Sequence, residues 1–220
     1  RVREILSTVE MGVYVPPSNL TTGEYLDRWV RTYAVMHTSP RTVRSYQEEL
    51  KRHVIPALGS IPLVSLRPNH IQEYYVAELT NGRKDGKGGL SPRTVAYHHA
   101  ILTEALEYAV RQNELVRNPA KLVDPPRPKR KEVTTLAAED MPRFLQAATE
   151  SEYFGLFLAA VYTGARLGEL LGLQWRNVDL DDGTMRIVAT LYRTGDTWTL
   201  KEPKSARSRR LVVLPASLVS

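Results

Sequence analysis

Thr163-Gly164-Ala165-Arg166-Leu167-Gly168-Glu169-Leu170-Leu171-Gly172-Leu173-Gln174-Trp175 places an arginine and a glutamate three residues apart inside an otherwise apolar run. On a helix that spacing puts the two side chains on one face. Thr163-Gly164 is a turn signal, so the run predicts a turn that delivers Arg166 to the start of a short helix. Both charges are expected to be buried, and a buried charge persists only when it is paired or put to use. Two roles are open to the pair. Arg166 and Glu169 form a structural ion pair, or the planar guanidinium of Arg166 is held ready for two oxygens of one phosphate.

Upstream, residues 153–162 are almost continuously apolar and predict a buried helix, with Tyr162 packed behind the turn. A further helix over residues 138–148 offers Met141, Phe144 and Leu145 as its apolar face. Downstream the period changes to that of strands: residues 185–190 follow the Asp181-Asp182-Gly183 turn, and 197–200 and 210–214 read likewise. Between the last two strands lies the basic stretch Pro203-Lys204-Ser205-Ala206-Arg207-Ser208-Arg209-Arg210, which sets Lys204 on a hairpin turn. This half of the chain is predicted to be helical with a small antiparallel sheet.

The first half is organised by an internal repeat. Ser39-Pro40-Arg41-Thr42-Val43 recurs as Ser91-Pro92-Arg93-Thr94-Val95. In each copy serine is a good N-cap, proline is tolerated at the first helical position, and valine begins the buried stripe. The first helix is expected to bury Val43, Tyr46, Leu50 and Val54 and to end before Pro56. The second should bury Val95, Leu102, Leu106, Ala109 and Val110 and end near Asn113. Thr21-Thr22-Gly23-Glu24 is a capping box ahead of Tyr25, Trp29, Val30 and Tyr33, and Arg67-Pro68-Asn69-His70 opens a helix with Ile71, Tyr74, Tyr75 and Leu79. The result is a four-helix domain over residues 19–123, with a mobile basic loop, residues 81–89, that carries Lys84 and Lys87. Residues 124–133 begin Asp124-Pro125-Pro126-Arg127-Pro128-Lys129-Arg130-Lys131 and cannot be helical, so they read as a linker to a domain over 134–220. Residues 1–18 read as the tail of an upstream segment, and the absence of a starting Met as the mark of an excised fragment.

The chain of 220 residues carries a net charge of +6, unevenly placed. Residues 1–130 hold 19 Lys and Arg against 13 Asp and Glu, whereas residues 131–220 hold 11 of each. Such an excess suits a polyanion, nucleic acid above all, or simply a solvated surface. Arg41, Arg44 and Arg93 at the two repeated helix starts, Lys84 and Lys87 in the loop, and Arg127, Lys129, Arg130 and Lys131 in the linker are the candidate phosphate contacts. There is no cysteine, so disulfides and thiolate metal sites are excluded. No apolar stretch approaches the roughly 20 residues of a membrane span. The five histidines show no ligand spacing and the glycines form no phosphate loop, so no metal or nucleotide cofactor is expected.

Phosphoryl transfer without a metal needs arginines for the non-bridging oxygens and a proton donor for the leaving oxygen. Arg166 fits the first role and Lys204 the second. This combination resembles the tyrosine recombinase, or phage integrase, family, and the resemblance spans nearly the whole chain. Its residues are the Thr163–Leu170 pattern, Leu173-Gln174-Trp175, the Val178-Asp179 pair, Pro203-Lys204-Ser205 through Leu214-Pro215, the Ser-Pro-Arg-Thr helix start and Asn118-Pro119. Gly12-Val13-Tyr14-Val15-Pro16-Pro17 is similar to the junction after an arm-site-binding domain.

The resemblance implies a mainly α protein, in which a four-helix, SAM-like core-binding domain precedes an α+β catalytic-domain fragment with a small antiparallel sheet. It also implies a clamp around double-stranded DNA in the cytoplasm of a bacterial host. Cleavage would proceed by a tyrosine through a 3′-phosphotyrosyl intermediate, and strand exchange within a homotetramer, with Arg166 and Lys204 catalytic and Glu169 supporting. The family's His-x-x-Arg box, a second His or Trp and the nucleophilic tyrosine are expected beyond Leu214. Tyr162 and Tyr192 lack the family context, so the expectation is a portion that binds its core site without cleaving it. The competing expectation is a short non-catalytic DNA-binding protein that occupies a recombination site.

Overall fold

Thr21 begins the first helix as its spacing predicts: its hydroxyl accepts from the Glu24 amide, and its own amide donates to the Glu24 carboxylate at 2.9 Å. The structure, a computed structural model, describes residues 19–129, 132, 134–194, 197–202 and 208–219. Its contacts divide the chain into two units, with the boundary between residues 131 and 132.

The first unit is built on α1 (Thr22–Trp29), α2 (Pro40–Glu49), α3 (Pro68–Asn81) and α4 (Pro92–Arg111). Ser39 and Ser91 cap α2 and α4 in the same way, each side chain accepting from the amide three residues on. One stripe from each helix enters a shared core of Tyr25, Leu26, Trp29, Leu50, Ile71, Tyr75, Ile101, Leu102 and Leu106, among others. Each such aliphatic side chain contributes about 1.5–3 kcal/mol through removal from water. Asn118, itself buried, donates to the Thr103 carbonyl and accepts from the Ala120 amide, which closes the unit beneath α4.

Three expectations for this unit are corrected. The helical path does not stop before Pro56 but runs on from α2 through a π turn, Leu50–Val54, into Ile55–Leu58. The wider turn shifts the hydrogen-bond pattern just where the proline lacks an N–H and would crowd the carbonyl four residues back. Leu79 is exposed and its neighbour Glu78 is buried instead, because Glu78 lies against the equally buried His53, with Oε2 2.8 Å from Nδ1. Tyr46 and Val110, expected inside, are only partly buried at the edge of the core.

The second unit holds α5 (Met141–Ala148), α6 (Phe154–Thr163), α7 (Leu167–Leu171) and the four-residue α8 (Ala216–Val219). Its strands are β1 (Val178–Asp179), β2 (Thr184–Ile187), β3 (Thr190–Thr194), β4 (Thr197–Lys201) and β5 (Arg210–Val213). They form two antiparallel sheets, β1-β2-β5 and β3-β4. The strand expected over 185–190 therefore divides at Val188-Ala189 between the sheets. Among the described residues β4 pairs with β3 and β5 with β2 rather than with each other, and residues 203–207 between them lie outside the described residues. The core is small: Ala165, Met185, Ile187 and Leu214, with Leu170, Leu173, Val178, Val212 and Leu218 packed around it. The apolar helix α6 is not buried as expected; none of its residues is fully covered, and Phe157 and Tyr162 are exposed. Apolar composition alone does not supply a surface to cover it. Among the described residues no helix is long and apolar enough to cross a membrane.

Candidate functional site

Gly164 ends α6 in the left-handed conformation, with φ of 60°, a geometry that favours glycine. The chain then turns through Ala165, which enters the core, and presents Arg166 immediately before α7. Two further glycines press α7 against β3. A Cβ on Gly168 would come within 2.8 Å of the Thr190 methyl, and one on Gly172 within 2.7 Å of the Leu191 backbone nitrogen. The spacing Gly168-x-x-x-Gly172 thus sets how close the arginine-bearing turn lies to the strand.

Glu169 is the centre of the site. It is 3% exposed and both carboxylate oxygens are occupied. Oε1 accepts from Arg166 Nη1 at 2.9 Å, while Oε2 accepts from the Arg166 amide at 3.0 Å and from Arg210 Nη2 at 2.8 Å. The Arg210 hydrogen bond holds the Glu169 carboxyl down to about 2, against burial, which pulls upward; the bonds from Arg166 add to the lowering. The carboxylate is therefore charged throughout the physiological range.

The expectation of two buried charges is corrected for Arg166. Its side chain is 77% exposed, because a guanidinium on a short turn is tethered through one nitrogen and projects the others outward. Its Nε and Nη2 have no partner among the described residues. The ion pair and the presented guanidinium are one arrangement rather than alternatives: the acid is buried and the base is displayed. Arg210 was not singled out by sequence, since its partner lies 41 residues away and a second arginine before an apolar strand carries no local signal. Lys204 lies outside the described residues, as do Arg130, Lys131 and residues 1–18. Tyr162 is exposed rather than packed behind the turn, and the Tyr192 hydroxyl is buried with no partner among the described residues.

In the first unit, Ser45 and Tyr97 lie six residues beyond Ser39 and Ser91, and their hydroxyls meet at 3.1 Å. Equivalent positions of the repeat therefore touch, and Arg41 and Arg93 each lie four residues earlier, in the first turns of α2 and α4. Both arginines are exposed and have no partner among the described residues. Arg44 is exposed and pairs with Glu48 at 2.9 Å. Lys84 and Lys87 are exposed on the loop before α4, which is drawn together by the Arg83–Asp85 ion pair and by the Lys87 amide on Asp85. Arg127 and Lys129 are exposed on a stretch without regular structure.

Beneath this surface several polar groups of the helices are paired, although the buried Trp29 Nε1 has no hydrogen-bond partner among the described residues. His98, fully buried, lies between the Tyr74 hydroxyl at 2.7 Å and Glu49 at 2.9 Å. Burial pushes its pKa down while Glu49 opposes that shift.

Residues 21–79 match the family described as "Phage integrase, N-terminal SAM-like domain". A XerC-like tyrosine recombinase of Caldanaerobacter subterraneus subsp. tengcongensis is 27% identical over 98% of this chain and 58% of its own length. The fold is shared with the Tn1549 transposon integrase bound to a circular-intermediate DNA, at a TM-score of 0.74, 18% identity, and coverage of 91% of this chain and 63% of that one. It is shared also with a lambda integrase tetramer bound to a Holliday junction, at a TM-score of 0.62, 18% identity, and coverage of 89% and 53%. Integrases of this fold thus bind DNA and assemble on it as oligomers. The chain spans 39% to 58% of the length of three curated relatives. With a SAM-like helical unit that matches the phage-integrase family model, followed by the Arg166 turn and its antiparallel strands, the chain is similar to tyrosine recombinases (phage integrases) along their N-terminal core-binding domain and the start of their catalytic domain.

Proposed function

We propose that this chain is the DNA-gripping part of a site-specific recombinase that integrates or excises a mobile element in the bacterial cytoplasm, as a homotetramer on duplex DNA in its complete form. One observation carries the catalytic half of this reading: Glu169 is buried and saturated by two arginines, while the rest of the Arg166 guanidinium stays in solvent. That is the arrangement a scissile phosphate requires, a fixed fork with free donors. Arg166 binds the non-bridging oxygens, Glu169 supports it, and Lys204 protonates the leaving oxygen. The sequence contains no His-x-x-Arg run, and cleavage is assigned to the complete catalytic domain rather than to these residues alone.

Binding is assigned to Arg41, Arg44 and Arg93 on the two serine-capped helix starts, with Lys84, Lys87 and the linker cations Arg127, Lys129, Arg130 and Lys131 along the backbone. The linker, residues 124–133, joins a core-binding domain over 19–123 to the catalytic portion over 134–220. Phosphate contacts release counterions, so affinity for a duplex core site falls steeply between about 50 and 200 mM salt, and Arg41→Ala with Arg93→Ala flattens the log–log slope by about 2. Salt-insensitive binding, or none, refutes the nucleic-acid reading. In the full-length recombinase, Arg166→Ala lowers strand cleavage by about 10²–10³-fold at unchanged core-site affinity. Equal loss of binding and cleavage would reduce Arg166 to a structural ion pair.

A further inference from the structure

The Arg166–Glu169 pair has a third member that the proposed chemistry does not use. Arg210 opens β5, opposite Ile187 of β2, and reaches Glu169 Oε2 at 2.8 Å. Its side chain is 32% exposed, against 77% for Arg166. Arg210 is therefore the inner arginine and Arg166 the outer one, on opposite sides of one buried carboxylate. An exposed arginine paired to a freely rotating acid gains little order, because its side-chain entropy rivals the strength of a solvent-exposed pair. The situation differs when the acid cannot move. Arg210 occupies Oε2 together with the Arg166 amide, which leaves Oε1 fixed in the direction of Arg166 Nη1.

We propose that Arg210 is a positioning residue: by clamping Glu169 from the sheet side, it holds the Arg166 guanidinium in the orientation that receives a phosphate, and does not contact DNA itself. The proposal rests on the recombinase reading of Arg166, and it extends that reading to a residue of the sheet. It also couples the sheet to the turn. A shift of β5 changes the aim of Arg166 without touching it.

Two measurements test it. In this chain, the side-chain Nη–H groups of Arg166, one of which donates to Glu169, are followed by ¹⁵N NMR at low temperature; Arg210→Gln is expected to collapse the shift of the bonded group toward that of a free arginine and speed its exchange with water, while Arg210→Lys retains part of the wild-type signature. An Arg166 signal unchanged by Arg210→Gln overturns the proposal whatever the protein does to DNA. In the full-length recombinase, Arg210→Gln is expected to slow strand cleavage about 10- to 100-fold with core-site affinity and its salt dependence unchanged, since misaligned groups cost rate rather than binding. Arg210→Lys should recover part of the rate. In a Glu169→Gln background the Arg210→Gln change should add nothing. A reduced salt slope, or a multiplicative loss in the double variant, overturns the proposal by making Arg210 a DNA ligand in its own right. If Arg166→Ala cleaves normally, the recombinase reading of the site fails instead, and the NMR result still decides whether Arg210 orders Arg166.

Discussion

The two units handle charge and apolar surface in opposite ways. Among the described residues the core of the helical unit holds 23 buried apolar residues, whereas that of the second unit holds four. In the first, histidines and tyrosines are sealed inside and paired, as His98 is with Tyr74 and Glu49. In the second, one glutamate is sealed inside in order to display an arginine, and apolar side chains such as Trp175, 82% exposed, remain in solvent. The contrast teaches that the helical unit is organised for stability with cations added on its surface, while the second is organised around one electrostatic centre. Large core losses should therefore fall on the first unit, and tight backbone packing and acid sensitivity should mark the second.

The largest expected effect on stability is a core deletion. Leu106→Ala leaves a cavity in the helical unit and costs about 2–5 kcal/mol, read by the emission of the buried Trp29 during urea unfolding. The buried Met185 methyl, followed by NMR, should keep its wild-type midpoint; a matching shift there would erase the distinction between the units. Next comes Gly172→Ala, whose Cβ meets backbone rather than a movable side chain. Overpacking of that kind costs about 1–3 kcal/mol, and here it should move the Met185 transition and leave Trp29 unaffected. An unchanged Met185 midpoint would show that α7 can shift away from β3 at no cost.

The smallest effect is one of pH. Glu169 ionises far below its ordinary value of 4.5, near about 2, so the folded unit binds fewer protons there than the unfolded chain. The stability this confers is complete above the ordinary value and is lost as pH falls from there toward about 2. Glu169→Gln should flatten that part of the pH dependence of the Met185 transition. An unaltered slope would mean that the two arginines do not hold the carboxylate in solution.

Much of the helical unit is legible locally. Thr21 with Glu24, and the two Ser-Pro-Arg-Thr-Val starts, state their caps within four residues, and the structure forms each of them. The π turn before Pro56 is not legible, because a proline in sequence signals a stop unless a neighbouring turn widens to admit it. Strand boundaries fared similarly: residues 185–190 read as one strand, yet the assignment of Thr190 to a second sheet depends on its pairing with Lys201.

At the site, sequence alone determined that Arg166 and Glu169 meet within one turn at a helix start and that glycines flank them, since spacing and residue type act over a single turn. It also determined that the two serine-capped helices are equivalent. Only the tertiary structure decided that the equivalent positions Ser45 and Tyr97 touch, that Glu169 rather than Arg166 is buried, and that Arg210 completes the cluster. The physical reason is range. Caps and periodicity are fixed by hydrogen bonds a few residues long, whereas which charge is covered, and by what, depends on strands that return 41 residues later.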